Sequence, residues 1–424
     1  MDGRWTPTFA VGMMRRDSRA AVGGESHARG HSDMTSATPD RTSSGRRLAY
    51  LDGLRACASV FVLIHHTFVM AYPISLGVRP HGALGVIFGW AVYGHFGVTV
   101  FIALAGYSLA LGIAGRGGDL PGGAIGFMQR RAGRIIPPYW AALAITVLLA
   151  ATVIGDRTGT HWDLSTPTDP GGWLVDFFLV QDIFIRTDAA YTFWSIAVEW
   201  HIYLLLPLLL LVRRATGSWK AAIGFGVTGS LLALVAARLV PVLQQLHPEY
   251  YLLFAMAAGA CVAVRLRPQT LARLPLLTFA GAALAGVVAI CIAQPYAWVV
   301  ENFDWIDVLL GAAVICLVMH LSLREQSRAA TALSAKPLAT VGLFSYSLYL
   351  VHAPLLALAW KYVLQPLEIS RGTQLLLGWL VVVPVITAIA YGFYLVFERP
   401  FVGRKPKRVL RAEQARHETP SPAS

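Results

Sequence analysis

Arg55 and His66 lie eleven residues apart in the first long apolar run of the chain, which extends from residue 48 to residue 70. Ionisable side chains inside such a run are costly in a membrane and by default mark a functional site. At about 100° per residue, eleven residues make about three helical turns, so both side chains share one face about 16 Å apart. The spacing therefore predicts a functional site with a basic group near the membrane surface and an imidazole deeper inside.

A second strip of chemical groups opens the fourth apolar run. Ser195, Glu199 and Tyr203 are each four residues apart and share one helical face, with Trp194 just before them. A carboxylate beside a hydroxyl and a phenol favours acid–base chemistry or sugar binding. The plainer interpretation makes Glu199 a structural hydrogen-bonding residue.

Arginines are concentrated where the third apolar run begins. Arg131 and Arg134 are neighbours at i and i+3, and Arg130 precedes them. Guanidinium groups suit phosphates, so this segment is a candidate site for the phosphates of a donor substrate. Ordinary anchoring of a membrane protein by positive loops would produce the same pattern. We expect the adjacent Pro137 and Pro138 to kink or delay the third helix.

Four further residues carry polar groups within helical runs. Ser345 and His352 are seven residues apart and share a face, although a lone His352 is more often a core residue. Asp52 precedes Arg55 by three residues, which predicts an ion pair on one helical face. Glu398 closes the last run; pairing with a loop arginine is one interpretation, and a structural role is the expected one.

The composition predicts an all-α, polytopic integral membrane protein. Hydrophobic residues make up 56% of the 424 residues and charged residues only 14%. Apolar runs of about twenty residues can span a bilayer as helices and are too long for barrel strands. About ten transmembrane helices are predicted, over residues 48–70, 86–112, 134–155, 192–212, 220–240, 250–264, 274–294, 305–323, 338–360 and 374–397.

The distribution of charge predicts the orientation. The net charge is +12, but the basic residues occupy short connections between alternate runs, so the positive-inside rule places both termini in the cytoplasm. The basic residues do not form one compact patch, so the charge does not indicate nucleic-acid binding. We expect a disordered cytoplasmic tail over residues 1–47, a membrane domain over 48–401 and a basic cytoplasmic tail over 402–424. Met34, close to the first helix, is an alternative start of translation. The four cysteines fall in apolar runs with neither disulfide nor zinc spacing, and no metal site is expected.

The longest predicted outer segment, residues 156–191, mixes acidic and aromatic residues. It either folds against the outer mouth of the helices and touches substrate, or forms an ordinary interfacial loop with aromatic anchors.

The ordered set of motifs resembles the membrane-bound acyltransferase-3 family, which O-acylates sugars and related hydroxyl compounds. The resemblance covers roughly residues 48–401. It is carried by Leu-Asp-Gly-Leu-Arg55 with His66, Phe-Gly97-Val-Thr-Val-Phe101 with Gly106, Arg131 and Arg134 with Pro137 and Tyr139, Trp194-Ser195 with Glu199 and Tyr203, Ser345-Tyr346-Ser-Leu-Tyr349-Leu with His352, and Glu398-Arg-Pro. The chain departs from the family pattern at Thr99 and Trp200, where acids are common, and at Ala105, where serine is common.

The resemblance implies roles for these residues. A cytoplasmic acyl-CoA donor, most simply acetyl-CoA, would bind as a substrate, with no permanently bound cofactor. The donor's phosphates would sit against the basic cluster of Arg130, Arg131 and Arg134, helped by Arg55. His66 would be the general base on the acceptor hydroxyl, and a transient acyl-histidine is the competing mechanism.

The remaining residues would bind the acceptor. Glu199 would bind or orient it, and Ser195, Tyr203, Tyr349, His352 and Trp194 would contact it. The implied function is transfer of an acyl group to a hydroxyl of a carbohydrate, glycolipid or glycosylated metabolite, in a multi-pass protein of a bacterial inner membrane. The alternatives are a glycolipid or polysaccharide transporter or flippase without acyl transfer, N-acylation of an amino sugar, and a structural membrane partner. The acceptor, the acyl length and the oligomeric state stay open.

Overall fold

The computed structural model describes residues 48–155, 157–165, 169–183, 189–240 and 246–402. Within these ranges every regular element is a helix, which confirms the all-α prediction. The predicted tail over residues 1–47 lies outside the described residues. Of the predicted tail over 402–424, only Val402 falls within them.

Ten helices are long and apolar enough to cross a membrane, as predicted. They are α1 (Ala49–Ala71), α2 (Ala83–Ala114), α3 (Gly123–Ile154), α4 (Trp194–Thr216), α5 (Trp219–Leu239), α6 (Pro248–Leu266), α7 (Leu276–Ala293), α8 (Phe303–Leu323), α9 (Ser345–Leu367) and α10 (Arg371–Phe401). Shorter helices cover Pro170–Phe177, Pro268–Leu271, Tyr296–Glu301, Arg328–Leu333 and Lys336–Leu343.

Helices α1 and α9 form the centre of the bundle. In each, 67% of the most apolar stretch is buried inside the protein, compared with 17% in α7 and 22% in α10. Helix α1 packs against α2, α9 and α10, while α2, α6 and α8 pack together with α5 and α7 outside them. Since apolar side chains on the outer helices face away from the protein, those helices present the surface suited to lipid.

Helix α3 starts eleven residues earlier than predicted, and the expectation that the prolines delay it is wrong. It runs unbroken from Gly123 through Pro137 and Pro138. Proline is tolerated inside membrane helices when neighbouring groups satisfy the freed backbone. Here the hydroxyl of Tyr346 donates to the carbonyl of Ile135, 3.0 Å away, just before the two prolines.

The predicted ninth span is in fact two helices. Lys336–Leu343 ends before Phe344, and α9 begins at Ser345. The break accompanies a close backbone contact with α1, because a Cβ atom on Gly342 would lie 2.0 Å from the carbonyl oxygen of Asp52. Gly53 is equally confined, with its hypothetical Cβ 1.9 Å from the carbonyl oxygen of Leu333. Only glycine permits this approach, which brings the start of α9 against the first turns of α1.

Part of the segment between α3 and α4 contacts α1, which agrees with the interpretation that the loop over 156–191 folds against the helices; its contact with substrate stays a prediction. A short helical turn, His161–Leu164, contacts α1. Trp162 is fully buried, and its indole N–H donates to the carbonyl of Gly155 at 3.1 Å. The helix Pro170–Phe177 is capped by Asp169, whose carboxylate accepts from the amides of Gly171 and Gly172. Within the described parts of this segment, His161–Leu164 therefore lies against α1, and Pro170–Phe177 packs against α3.

Candidate active site

An internal cavity of about 310 Å³ lies between α1, α2, α3, α4 and α9. It reaches from Leu48 and Leu111 at one end of the bundle to Ser195 and Tyr349 deeper inside. The polar and charged side chains that line it are those of Asp52, Arg55, Ser108, Arg131, Arg134, Ser195, Glu199, Tyr203, Ser345, Tyr346 and Tyr349. We call it the basic cavity, since three arginines line it.

Arg55 is held rigidly in the wall of the basic cavity. One guanidinium nitrogen donates to Asp52 at 2.8 Å, which confirms the predicted ion pair. Another donates to the hydroxyl of Ser108 at 2.7 Å. Such fixed geometry lowers the entropy lost when the guanidinium binds an anion.

Arg131 and Arg134 line the same cavity, as their i, i+3 spacing permits. The guanidinium carbon of Arg131 lies 5.6 Å from the ring centre of Phe127 and 5.9 Å from that of Tyr203. Its buried Nε makes no hydrogen bond to any described residue. Arg130 is half-buried on α3 and does not line the cavity, since it is turned about 100° from Arg131.

The predicted strip on α4 faces the basic cavity. Ser195, Glu199 and Tyr203 all line it, and the phenol of Tyr203 donates to the carboxylate of Glu199. The carboxylate of Glu199 thus lines the basic cavity together with Arg131. The hydroxyl oxygens of Ser195 and Tyr349 are 2.7 Å apart and close the deep end of the cavity.

A cluster of imidazoles lies just beyond this deep end. His66 and His352 have ring centres 4.9 Å apart, and Nδ1 of His66 is 2.8 Å from Nε2 of His352. The carbonyl of Tyr349 accepts from Nδ1 of His352 at 2.6 Å. Tyr349 therefore touches the basic cavity with its hydroxyl and the histidine pair with its backbone. His66 and His352 were each predicted as site residues from the sequence, but their direct contact was not predicted.

Three residues around His66 were not predicted from the sequence. His65 has its ring centre 4.7 Å away, and its Nδ1 donates to the carbonyl of Ala91 at 2.9 Å. The ring centres of His161 and Tyr191 lie 6.1 and 5.0 Å from that of His66. Burial lowers the pKa of His161 to about 4, so this imidazole is neutral at physiological pH. Both later residues belong to the segment between α3 and α4, where no helical period signals which side chains face α1.

The position of Tyr191 is fixed through its backbone. Its amide donates to the hydroxyl of Ser165 at 3.0 Å, and Ser165 in turn donates to the carbonyl of Trp162. The phenol oxygen of Tyr191 is buried and has no hydrogen-bond partner among the described residues. Buried polar atoms are rarely left unpaired, so this hydroxyl is available to a bound molecule beside His66.

Trp194 lies in a different network, away from the basic cavity. Its ring stacks on that of His95, with ring centres 6.0 Å apart, and lies tilted against that of His247, with ring centres 4.7 Å apart. His95 is 2.8 Å from the buried carboxylate of Asp307, which also accepts from Thr99 at 2.5 Å. Thr99, where the family pattern commonly has an acid, therefore lies beside the carboxylate of Asp307 on α8. Nothing in the structure explains the tryptophan at position 200.

Glu398 is buried at the end of α10 and accepts from the amide and hydroxyl of Ser347 at 3.2 and 2.5 Å. This bond to α9 fits the structural role expected for Glu398.

Within the described ranges no group of three or more His, Cys, Asp or Glu residues is arranged to hold a metal ion.

The fold and the site together define a multi-pass helical membrane protein with a cavity lined by three arginines and several hydroxyl groups. The sequence model described as an acyltransferase domain, Acyl_transf_3, matches residues 48–395, which contain all but the last turns of α10. The chain therefore belongs to the acyltransferase-3 family.

Two relatives share this region. The chain is 25% identical over 349 residues to YrhL of Bacillus subtilis (strain 168), a candidate peptidoglycan O-acetyltransferase by name; the match covers 75% of the chain and 50% of YrhL. It is 25% identical over 338 residues to OatA of Listeria monocytogenes serovar 1/2a, named a peptidoglycan O-acetyltransferase; 73% of the chain and 49% of OatA are covered. The chain spans about half the length of these curated relatives. No solved structure matches it significantly.

Proposed function

We propose that the protein transfers an acyl group, most simply acetyl, from acyl-CoA to a hydroxyl of a cell-envelope carbohydrate. The observation that carries the proposal is the continuity between the basic cavity and the histidine pair through Tyr349. An anion-binding entrance and an imidazole at the deep end match the two ends of an acyl-CoA molecule. Family membership and the names of the two relatives support O-acetylation.

The donor is proposed to enter at the end of the bundle that carries Arg55, Arg131 and Arg134. Guanidinium groups bind phosphates through paired hydrogen bonds, and the unpartnered Nε of Arg131 supplies one such donor. Most short loops with Lys and Arg flank this same end, so we propose that it faces the cytoplasm, where acyl-CoA is made. The bacterial inner membrane is the proposed location.

The pantetheine arm is proposed to lie in the basic cavity and to direct the thioester towards Tyr349. Glu199 and Tyr203 line this path, so they are assigned to the donor rather than to the acceptor. Their hydrogen-bonding groups suit the two amides of pantetheine, and the carboxylate offsets part of the charge of Arg131.

His66 is proposed as the base. Its imidazole takes the proton of the acceptor hydroxyl while that oxygen bonds to the thioester carbonyl carbon, and it then returns the proton to the departing CoA thiolate. Tyr191 is held in place through its backbone amide, which donates to Ser165, and its buried phenol is proposed to donate a hydrogen bond to a substrate oxygen beside His66. The competing mechanism transfers the acyl group to the imidazole first and to the acceptor second.

The acceptor is proposed to approach from the segment that carries His161 and Tyr191, opposite the donor entrance. The names of YrhL and OatA make the hydroxyls of peptidoglycan the first class to test. The experiment incubates the protein in nanodiscs with acetyl-labelled acetyl-CoA and soluble peptidoglycan fragments. Ester-linked label on the fragments with wild type and not with His66→Ala supports the function.

A matched control is His320→Ala, because His320 is a half-buried histidine of α8 outside the basic cavity. This variant should keep wild-type transfer. If no acyl donor yields labelled product while the protein moves a labelled glycolipid across the bilayer, the transporter alternative replaces the proposal.

A further inference from the structure

We infer that His352 is a positioning residue that keeps the proton of His66 on Nδ1 and so leaves Nε2 of His66 free as the base. The inference rests on the proposed function, because it concerns the residue that carries out acyl transfer there. It differs from the acceptor-binding role that the sequence suggested for His352.

The proton positions follow from which atoms can donate. A backbone carbonyl only accepts, so Nδ1 of His352, 2.6 Å from the carbonyl oxygen of Tyr349, must carry a proton. In a neutral imidazole the other nitrogen then has a lone pair and accepts. Nε2 of His352 lies 2.8 Å from Nδ1 of His66, so His66 must donate from Nδ1. The proton-free nitrogen of His66 is therefore Nε2.

The surroundings favour this neutral arrangement. His66 and His352 are 9% and 1% exposed, and a charged imidazolium is costly to bury without a partner. The titratable groups that face the pair are His65 on α1, His161 and Tyr191 between α3 and α4, and Tyr349 on α9. Among the described residues no carboxylate lies within 4.0 Å of a ring nitrogen of the pair. A neutral histidine thus occupies the position where many catalytic histidines have a carboxylate partner.

The arrangement also serves the charged stage of the reaction. When the acceptor oxygen bonds to the thioester carbonyl carbon, its proton moves to Nε2 of His66 and makes that ring an imidazolium. The Nδ1–H of His66 then donates a stronger, charge-assisted bond to Nε2 of His352, which stays anchored on the carbonyl of Tyr349. As the C–S bond breaks, the proton on Nε2 passes to the CoA thiolate and the neutral pair is restored.

Nitrogen NMR of the protein in lipid bilayers tests the proton positions directly. The protein is labelled with ¹⁵N-histidine, and the signals of His66 are assigned by their loss in His66→Gln. The inference predicts the Nδ1–H tautomer for His66 in wild type and in the control His320→Ala. It predicts a shift towards the Nε2–H tautomer in His352→Ala. An Nε2–H tautomer in wild type, or no change in His352→Ala, overturns the inference.

Kinetics provides the second readout. We expect His352→Ala to lower kcat for CoA release from acetyl-CoA about 10- to 100-fold with little change in KM. His352→Gln places an amide oxygen near the former position of Nε2 and should recover part of the lost kcat. Such a recovery would distinguish a positioning role of His352 from general damage to the fold. Equal kcat in wild type and His352→Ala overturns the inference alone. If wild type releases no CoA although His66 has the Nδ1–H tautomer, the proposed function fails and the proton assignment stands.

Discussion

The hydroxyl oxygens of Ser195 and Tyr349 lie 2.7 Å apart and join α4 to α9 at the deep end of the basic cavity. The same Tyr349 holds His352 through its backbone carbonyl. One residue therefore separates the space proposed for the donor from the histidines proposed for the chemistry. Under the proposed function, a donor in the basic cavity would present its thioester to His66 past Tyr349.

The arginines should differ in their effect on donor binding. We expect Arg131→Ala and Arg134→Ala to raise the KM for acetyl-CoA about 10-fold or more, because each removes a phosphate-binding group that lines the cavity. Arg130→Ala is the matched control, since Arg130 adjoins them in sequence but does not line the cavity. Steady-state kinetics of CoA release measures the difference. An equal rise in KM for Arg130→Ala would contradict the placement of the donor phosphates.

The close contact between α1 and the helix before α9 should be sensitive to a single methyl group. We expect Gly342→Ala to destabilise the protein by about 1–3 kcal/mol, because its Cβ would meet the backbone of Asp52. Gly281→Ala on α7 is the control, since a Cβ there meets no atom within 4 Å. Thermal unfolding in detergent compares the two variants. Similar melting temperatures would mean that the helices do not approach as described.

Asp176 should make stability depend on pH. Burial raises its pKa from 3.8 to about 7, although its carboxylate accepts from the amide of Ala189 at 2.5 Å. The folded protein therefore holds this proton more tightly than the unfolded chain, so the contribution is full below about pH 4 and is lost as the pH rises to about 7.

The test compares melting temperatures of wild type and Asp176→Asn from pH 4 to pH 8. Relative to the asparagine variant, wild type should lose stability between pH 4 and 7 and then level off. Asp119→Asn, at an exposed carboxylate, should show no such difference. A wild-type curve parallel to that of Asp176→Asn would exclude the buried proton.

Tyr191 should contribute to the rate and not to donor binding. We expect Tyr191→Phe to lower kcat about 10- to 100-fold, because it removes a buried hydrogen-bond donor beside His66 but keeps the ring. Tyr296→Phe, at a partly buried tyrosine of another segment, should stay near wild type. Measured kcat and KM for CoA release distinguish the two; an unchanged kcat in Tyr191→Phe would remove this residue from the chemistry.

The sequence was sufficient for features that depend on local spacing. Ten apolar runs predicted ten spans, and the four-residue spacing of Ser195, Glu199 and Tyr203 predicted one shared face. The ion pair between Asp52 and Arg55 follows from their separation by three residues. These features need no knowledge of which helix packs opposite, because the helical period alone sets them.

Features that depend on packing between distant segments could not be predicted in this way. The contact between His66 and His352 joins residues 286 positions apart. His161 and Tyr191 reach the site from a segment with no helical period, and Trp194 turns away towards His95. The helical faces of His66, His352 and Trp194 could be predicted, but the residues that contact those faces are set by the packing of α1, α4 and α9.

The central claim, that His66 performs acyl transfer from acyl-CoA, is tested most directly by CoA release from acetyl-CoA in nanodiscs without an acceptor. We predict slow CoA release by wild type and by His320→Ala, and at least a 100-fold lower rate for His66→Ala. Label retained on wild-type protein alone would identify the acyl-histidine mechanism, while release without retained label would favour direct transfer. Release by His66→Ala at the wild-type rate would contradict the account.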